Sequence, residues 1–151
     1  MKFKTIEELF LESEDPKCIE YKGMQIYRLD LFPVKDKGRI KIIWESTNSK
    51  WRQAVQISAD KKTVINGEKG KIHVFWLGPT NKSFVIEYQT GTGFLEIENA
   101  WDVGDGTTLT GLGNGGMIIE ELENGRRYRC NDGYPDDDFD DLIFRVERIV
   151  P

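Results

Sequence analysis

Near the C-terminus the chain reads Asp136-Asp137-Asp138-Phe139-Asp140-Asp141, followed directly by Leu142-Ile143-Phe144-Arg145-Val146. The second part has the two-residue period of a β-strand, which puts Leu142, Phe144 and Val146 on one face. The first part crowds carboxylates, and a pair about 4 Å apart costs ~1 kcal/mol in water or ~4 kcal/mol near a protein surface. A hard cation would remove that cost. The stretch therefore predicts a core strand that is entered through a candidate cation-binding loop.

The segments before this stretch continue the strand pattern. Alternating apolar runs recur about every 8–12 residues, and turns rich in Gly, Asn and Pro separate them. Asn66-Gly67 fits a type I′ hairpin turn. No helix-length crossover lies between the runs, which argues against a parallel α/β sheet. The pattern predicts an all-β fold, either an antiparallel β-sandwich or a jelly roll.

One short helix is predicted at the N-terminus. Thr5 and Glu8 fit a capping box, and Ile6 and Phe10 belong to an apolar stripe that repeats with the helical period. Glu14-Asp15-Pro16 ends the pattern, because the residue before a proline avoids the helical conformation. Everything after this point has the period of strands.

Composition and charge limit the function classes. With 151 residues, 38% of them hydrophobic, the chain is expected to form one domain over residues 1–151. A net charge of -5 argues against nucleic-acid binding, which needs clustered cations. The sequence shows neither a signal-peptide pattern nor an apolar run long enough for a membrane span. We therefore expect a cytoplasmic chain without a membrane partner, and secretion stays open.

The two cysteines, Cys18 and Cys130, lie far apart in the sequence and have no metal-binding spacing. Two such residues in a chain without a signal peptide are more often free thiols than a disulfide. A Cys18–Cys130 bridge remains the alternative for a mature secreted chain.

The aspartates of the acidic stretch form the best candidate metal site. Calcium takes six to eight oxygen ligands, and magnesium demands a tighter octahedron. The spacing partly matches a helix–loop–helix calcium loop, but Asp141 stands where that loop requires glycine. A calcium site at the strand entry fits better, with Asp132 or the Asp102 and Asp105 pair as further candidates. The predicted ligands are Asp136, Asp138, Asp140 and Asp141.

The segment 136–144 resembles the Asp-x-Asp-Tyr/Phe-Asn-Asp-Leu-Val-Phe signature of calcium-associated β-sandwich domains of unknown function, found in bacterial surface and secreted proteins. The resemblance covers the C-terminal end of the chain, and Asp140 replaces the usual Asn of that signature. It implies a β-sandwich fold and calcium binding by the same four aspartates.

Other interpretations of the aspartates need no metal. Such residues solubilise loops, hold turns through side-chain to backbone hydrogen bonds, or pair with cations. The candidate cations are Arg126, Arg127, Arg129, Arg145 and Arg148. A further alternative is an acidic patch that contacts a basic protein surface.

Aromatic residues supply candidates for ligand contact. Trp51 and Trp101 lie at predicted strand ends, and Tyr134 lies in the acidic loop, where a ring could stack on a sugar. Core packing is the competing interpretation for the tryptophans. The segment 72–77 is apolar on both faces, so we expect it to form a central, buried strand.

The case for catalysis is thin. His73, the one histidine, lies in an apolar strand, and Glu96 and Glu98 alternate with apolar residues as an ordinary solvent face would. The residues therefore favour a non-enzymatic binding module with a calcium site, recognising carbohydrate. The alternative is an intracellular interaction or inhibitor protein, immunity-like or phage-encoded, with an acidic docking surface. A third class, an enzyme that uses two carboxylates in one concave pocket, stays open.

Overall fold

A computed structural model of the chain describes residues 4–14, 17–78, 82–133 and 138–150. Each strand pairing in this part of the chain is antiparallel. The predicted all-β fold with one short N-terminal helix is confirmed. The elements are α1 (Ile6–Glu12), β1 (Cys18–Tyr21), β2 (Met24–Tyr27), β3 (Asp30–Pro33), β4 (Lys37–Thr47), β5 (Arg52–Ile65), β6 (Glu68–Trp76), β7 (Ser83–Gln89), β8 (Phe94–Asp102), β9 (Gly116–Leu122), β10 (Gly125–Asn131) and β11 (Leu142–Arg148).

The strands form one continuous hydrogen-bonded sheet in the order β1-β2-β9-β10-β11-β4-β7-β5-β8-β3, and β6 pairs with β5 outside this path. The long strand β5 pairs with β6 along one edge, and with β8 and then β7 along the other. Because β5 exchanges neighbours along its length, the sheet curls over on itself, and its strands face one another across a core as they do in a β-sandwich.

The curl brings distant strands of the sheet together around one core. Asp30 on β3 contacts Arg126 and Tyr128 on β10, although five other strands lie between β3 and β10 in the sheet order. Strands β3 to β11 all contribute buried apolar side chains to the same cluster, among them Phe32, Ile57 and Phe144. The inner face of the curled sheet is therefore the main core.

The last strand confirms the prediction made from its period. Leu142, Phe144 and Val146 are each 0% exposed, and Phe144 stacks on Tyr128 with ring centroids 4.8 Å apart. The Asn66-Gly67 turn is also confirmed, because Asn66 has φ +48° and Gly67 has φ +80°, the signs that a type I′ turn requires.

The strand expected to be central is instead an edge strand. In the described part of the chain β6 pairs with β5 alone, and Ile72 is 60% exposed. Phe75 faces the core, whereas Ile72 and Val74 lie on the outer face. The prediction was wrong because apolar residues on both faces were attributed to burial, while one of the faces meets solvent.

Helix α1 begins with the predicted capping box. The Thr5 side chain accepts a hydrogen bond from the Glu8 backbone, and the Glu8 carboxylate accepts one from the Thr5 backbone. Ile6 and Phe10 pack into a second apolar cluster with β1, β2 and Phe139 of the acidic stretch. In the described residues, no helix is long and apolar enough to cross a membrane.

Both cysteines are free thiols, as expected. Cys18 is half-buried and donates to the Gln25 side-chain oxygen over 3.1 Å. Burial raises the pKa of the Cys130 thiol well above its usual range, and the Asp141 carboxylate raises it further. Cys130 is therefore an unreactive core residue.

Candidate functional site

Three connections between strands lie together at one end of the curled sheet, and we call them the loop cluster. They are residues 48–51 between β4 and β5, residues 103–115 between β8 and β9, and residues 132–133 with 138–141 between β10 and β11. Hydrogen bonds of Asn48 and Ser49 join the first connection to the third, and Gly113 of the second lies directly against the Gly133 backbone.

The β4–β5 connection lies against the acidic stretch. The Asn48 side chain donates to Asp140 Oδ2 over 3.0 Å, and the Asn48 backbone donates to the Asp141 carbonyl oxygen over 3.1 Å. Ser49 Oγ donates to Asp132 Oδ2 over 2.5 Å. Neutral donors of the β4–β5 connection therefore hold Asp132 and the C-terminal end of the acidic stretch.

Asp132 is the most enclosed carboxylate of the loop cluster. It is 0% exposed, and Oδ2 accepts hydrogen bonds from Ser49 and from Gln53 Nε2, the latter over 3.0 Å. Its backbone N–H donates to Asp141 Oδ2 over 2.9 Å. Two buried aspartates thus lie side by side, which is costly unless donors or a cation compensate their charge.

The acidic stretch has a constrained backbone. Phe139 has φ +53°, an uncommon value for a bulky residue, and its side chain is buried beside α1. Its N–H donates to Asn131 Oδ1 over 2.7 Å, and the Asn131 carbonyl oxygen accepts from Asn99 over 2.8 Å. These contacts fix the shape of the loop on the side that faces the core.

The predicted metal ligands fall into different environments. Asp136 lies outside the described residues, Asp138 is exposed, Asp140 is half-buried and Asp141 is 2% exposed. In the described ranges, no three His, Cys, Asp or Glu side chains come together closely enough to hold a metal ion. Calcium binding by this set therefore stays a prediction.

Two oxygens of the loop cluster are buried without a hydrogen bond from the described part of the chain. They are Asp140 Oδ1 and Gln53 Oε1. A buried acceptor without a donor costs about 1–3 kcal/mol, and more when it is charged. Oxygen ligands are what calcium prefers, so both atoms fit a cation site.

The arginines suggested as partners for the aspartates make other contacts. Arg126 pairs with Asp30 and Glu121. Arg127 and Arg145 both pair with Glu45 on the outer face of the sheet. Among the described contacts, these three cations therefore neutralise carboxylates elsewhere.

Asp102 and Asp105 hold the β8–β9 connection rather than the acidic stretch. Asp102 Oδ1 accepts backbone hydrogen bonds from Gly104, Asp105 and Gly106, and these donors hold the pKa of Asp102 below its usual range. Asp105 accepts from the Thr107 backbone over 2.9 Å. Of the further candidates, the structure brings only Asp132 to the acidic stretch.

The aromatic candidates also separate. Trp101 is 1% exposed, so core packing, the competing interpretation, is the one observed, and the ring offers no stacking face. Its ring lies over Gly115 and Gly133, where a Cβ atom would collide with it. Trp51 is half-buried at the rim, and Tyr134 lies outside the described residues. Ligand contact by Trp51 and Tyr134 stays a prediction.

The Gly-rich connection is tied to helix α1. The Glu7 backbone donates to the Gly113 carbonyl oxygen, and the Gly113 N–H donates to the Glu7 carboxylate, each over 2.8 Å. The Ile6 N–H donates to the Asn114 side chain over 3.2 Å. Helix α1 therefore holds this connection in place.

Sequence reasoning missed Gln53, Asn131 and Asn99, which build the floor of the loop cluster. A signal for Gln53 was present, because it shares strand parity with Val55 and Ile57 and therefore points inward. A long polar side chain on the core face of a strand needs a buried partner. Asn99 shows the same conflict, because it shares strand parity with Leu95 and Ile97, whereas Asn131 has the parity of the outward-facing Arg129 and gave no such signal.

The candidate catalytic groups do not converge. His73 Nε2 lies 3.3 Å from the Thr63 carbonyl oxygen, within the β5–β6 hairpin. Glu96 and Glu98 lie on the outer face of β8, where they accept hydrogen bonds from Ser58 and Gln56, respectively. Burial raises the pKa of Glu98, and Arg28 opposes the rise.

Replacing Glu98 with glutamine is expected to raise the free energy of unfolding at pH 7, and the gain should shrink below about pH 4. The pKa of Glu98 is higher in the folded chain than in the unfolded chain, so the folded chain binds the proton more tightly. The free energy of unfolding therefore falls as the pH rises from the unfolded pKa to the folded pKa. Urea unfolding at both pH values measures this. Glu87→Gln, at an exposed residue of β7, is the control. An equal gain in the free energy of unfolding from Glu98→Gln at both pH values would contradict the prediction.

Comparison with known proteins gives a likeness in structure but none in sequence family. No protein-family model matches the chain, and no curated protein matches it. Among solved structures, the chain is similar to the Chromobacterium violaceum lectin CV2L, determined at 1.1 Å in complex with alpha-methyl-fucoside. The sequences are 15% identical, the match covers 80% of this chain and 96% of the lectin chain, and the TM-score is 0.49. A likeness of this size does not indicate what the chain binds.

Proposed function

We propose that the chain is a non-enzymatic binding module that holds calcium in the loop cluster and recognises carbohydrate at its rim. The observation that carries the calcium half is a pair of buried oxygens that receive no hydrogen bond from the described residues, Gln53 Oε1 and Asp140 Oδ1, near the buried carboxylates of Asp132 and Asp141. A divalent cation is the kind of group that compensates buried carboxylate and amide oxygens gathered in this way.

The residues that would hold calcium are Asp140 and Asp141, with Asp136 and Asp138 from the rest of the acidic stretch. Gln53 and Asp132 would complete the oxygen set from the sheet side. Bound calcium supplies positive charge and open coordination positions for further oxygens. The chain supplies a scaffold in which Phe139 and Asn48 already hold the stretch on both sides.

The rim suits a ligand with both hydroxyl groups and apolar faces. Trp51 is half-buried there. Its backbone N–H donates a hydrogen bond to Ser49 Oγ, which in turn donates one to Asp132. Leu112 and Val103 are exposed apolar residues of the β8–β9 connection. Carbohydrates bind where aromatic or aliphatic surface adjoins a few placed polar groups.

Calcium binding is tested by titration calorimetry on protein first stripped with a chelator, together with melting curves. We expect calcium to raise the melting temperature, because a ligand at 100 times its Kd adds about 2.7 kcal/mol to stability. Asp140→Asn should weaken binding about tenfold or more, since one charged ligand is lost. Asp36→Asn, at an exposed aspartate outside the loop cluster, is the matched control.

Absence of both heat and a melting shift at millimolar calcium would overturn the calcium half of the proposal. The carbohydrate half is tested on an array of glycans with calcium and with chelator. We expect selective binding that the chelator removes and that Trp51→Ala reduces. Binding of no glycan by calcium-loaded protein would overturn the carbohydrate half.

A further inference from the structure

The outer face of four strands carries a groove that the loop cluster does not use. It lies across β6, β5, β8 and β3 and has a volume of about 420 Å³. This falls within the ~300–1,000 Å³ range of small-molecule sites. Its lining residues are Leu31, Ser58, Ala59, Asp60, Lys71, Ile72, Thr92, Phe94 and Glu96.

The groove has an ordered cross-strand composition. Ile72 pairs with Ser58, Ser58 with Glu96, and Glu96 with Leu31, so one row runs from an apolar side chain through two polar ones to a second apolar one. Phe94 lies on the same face of β8, two residues from Glu96, and is 40% exposed. The outer face of an antiparallel sheet is usually polar, so these exposed apolar walls need an explanation.

The polar floor is organised for hydrogen bonding. Ser58 Oγ donates to Glu96 Oε2 over 3.1 Å, and the neighbouring row repeats this arrangement with Gln56 Nε2 and Glu98 Oε1 over 2.9 Å. Within the described residues, Glu96 Oε1 accepts no hydrogen bond. The groove therefore offers a free acceptor between two apolar walls.

Charge distinguishes the ligand classes. Lys71 lines the groove together with the Glu96 and Asp60 carboxylates, so a cationic ligand would meet repulsion from Lys71 beside the attraction of these carboxylates. A basic peptide would gain little from them. An apolar protein patch would bury the Ser58–Glu96 pair without new partners, which is unfavourable.

We infer that this outer groove is a second, calcium-independent site, and that its ligand is a neutral oligosaccharide. Sugar C–H faces would lie against Phe94 and Ile72, while hydroxyl groups donate to Glu96 and exchange hydrogen bonds with Ser58. The inference concerns residues outside the loop cluster and stands whether or not that cluster binds calcium.

The test uses the chelator-treated full chain and four neutral hexasaccharides, made of β-1,4-linked glucose, mannose or xylose, or of α-1,4-linked glucose. Amide chemical shifts followed by NMR during titration report both affinity and location. We expect at least one hexasaccharide to shift Ser58, Ile72 and Phe94. Phe94→Ala should weaken that binding about tenfold, and Glu96→Gln should weaken it measurably.

Val85→Ala is the matched control, because Val85 is an exposed apolar residue on β7, outside the groove. The Val85→Ala variant should bind the hexasaccharide with the same affinity as the unmodified chain. The inference is overturned if none of the four hexasaccharides binds at millimolar concentration, if the shifts map to residues 132–141, or if Phe94→Ala and Val85→Ala bind equally well. A calcium response in the same protein is scored separately, so the two proposals fail independently.

Discussion

Replacing Arg126 with methionine is expected to lower the free energy of unfolding by about 3–5 kcal/mol, because the buried Asp30 carboxylate then loses its cation. Asp30 is 4% exposed, and Arg126 Nη1 donates to both of its oxygens over 2.9 Å. Tyr128 donates to Asp30 Oδ2 over 2.5 Å but brings no positive charge. Urea unfolding followed by circular dichroism measures the loss.

The position of Arg126 in the fold explains why its replacement should lower the free energy of unfolding strongly. Arg126 joins β10 to β3 across the closure of the curled sheet, so its loss removes an ionic contact between two strands that share no backbone ladder. Arg129→Met, at an exposed arginine of the same strand, is the control and should change stability by less than about 0.5 kcal/mol.

A double-mutant cycle separates the ion pair from lost packing of the arginine stem. In an Asp30→Asn background the carboxylate charge is absent, so Arg126→Met should cost clearly less than it does alone. If it costs the same in both backgrounds, or no more than Arg129→Met, the buried charge is not what makes Arg126 important.

The contacts that close the sheet could not be predicted from one sequence. Asp30 and Arg126 are separated by 96 positions, and nothing in the local pattern of either strand names the other. By contrast, Thr5 with Glu8, and Asn66 with Gly67, are short-range signals whose physics is complete within a few residues. These signals, and the strand period of Leu142 to Val146, were therefore read correctly.

The errors have a common cause. Periodicity reports which residues share a face but not what covers that face. Ile72 was assigned to a buried strand, yet β6 lies at an edge and its outer face is open. Trp101 was a candidate for exposure, yet the β8–β9 connection folds back over it. Only the tertiary arrangement decides such cases.

The candidate site was located by sequence but not completed by it. The acidic stretch was recognised through charge crowding, which is a local property. Asn48, which contacts the stretch, and Ser49 and Gln53, which contact Asp132 just before it, come from the β4–β5 connection and the start of β5. Gln53 alone carried a local signal, the conflict between a polar side chain and an inward strand position.

Trp101→Ala is expected to lower the free energy of unfolding by about 3–5 kcal/mol and, in addition, to weaken calcium binding by the loop cluster. Trp101 is 1% exposed, and its backbone exchanges hydrogen bonds with Leu109 over 3.0 and 2.8 Å. Its ring separates Gly115 of the β8–β9 connection from Gly133 at the start of the acidic stretch. Truncation therefore leaves a cavity between the two connections.

The two effects are distinguished by measuring them separately. Chemical unfolding followed by circular dichroism gives the stability loss, and calorimetry at low temperature, where the variant is still folded, gives the calcium affinity. Compared with the unmodified chain, Trp101→Ala should accelerate hydrogen exchange more in residues 102–114 than in β4, because the cavity removes packing from that connection first. The stability and the calcium affinity of Trp101→Phe should lie between those of Trp101→Ala and those of the unmodified chain.

Trp76→Ala provides the matched control. Trp76 is half-buried on edge strand β6, where its ring lies 4.6 Å from the Arg52 guanidinium, so its loss opens no enclosed cavity. It should cost less stability than Trp101→Ala and leave calcium affinity unchanged. If the two variants lose stability equally while both keep full calcium affinity, Trp101 is an ordinary core residue and the loop cluster does not depend on it for its shape.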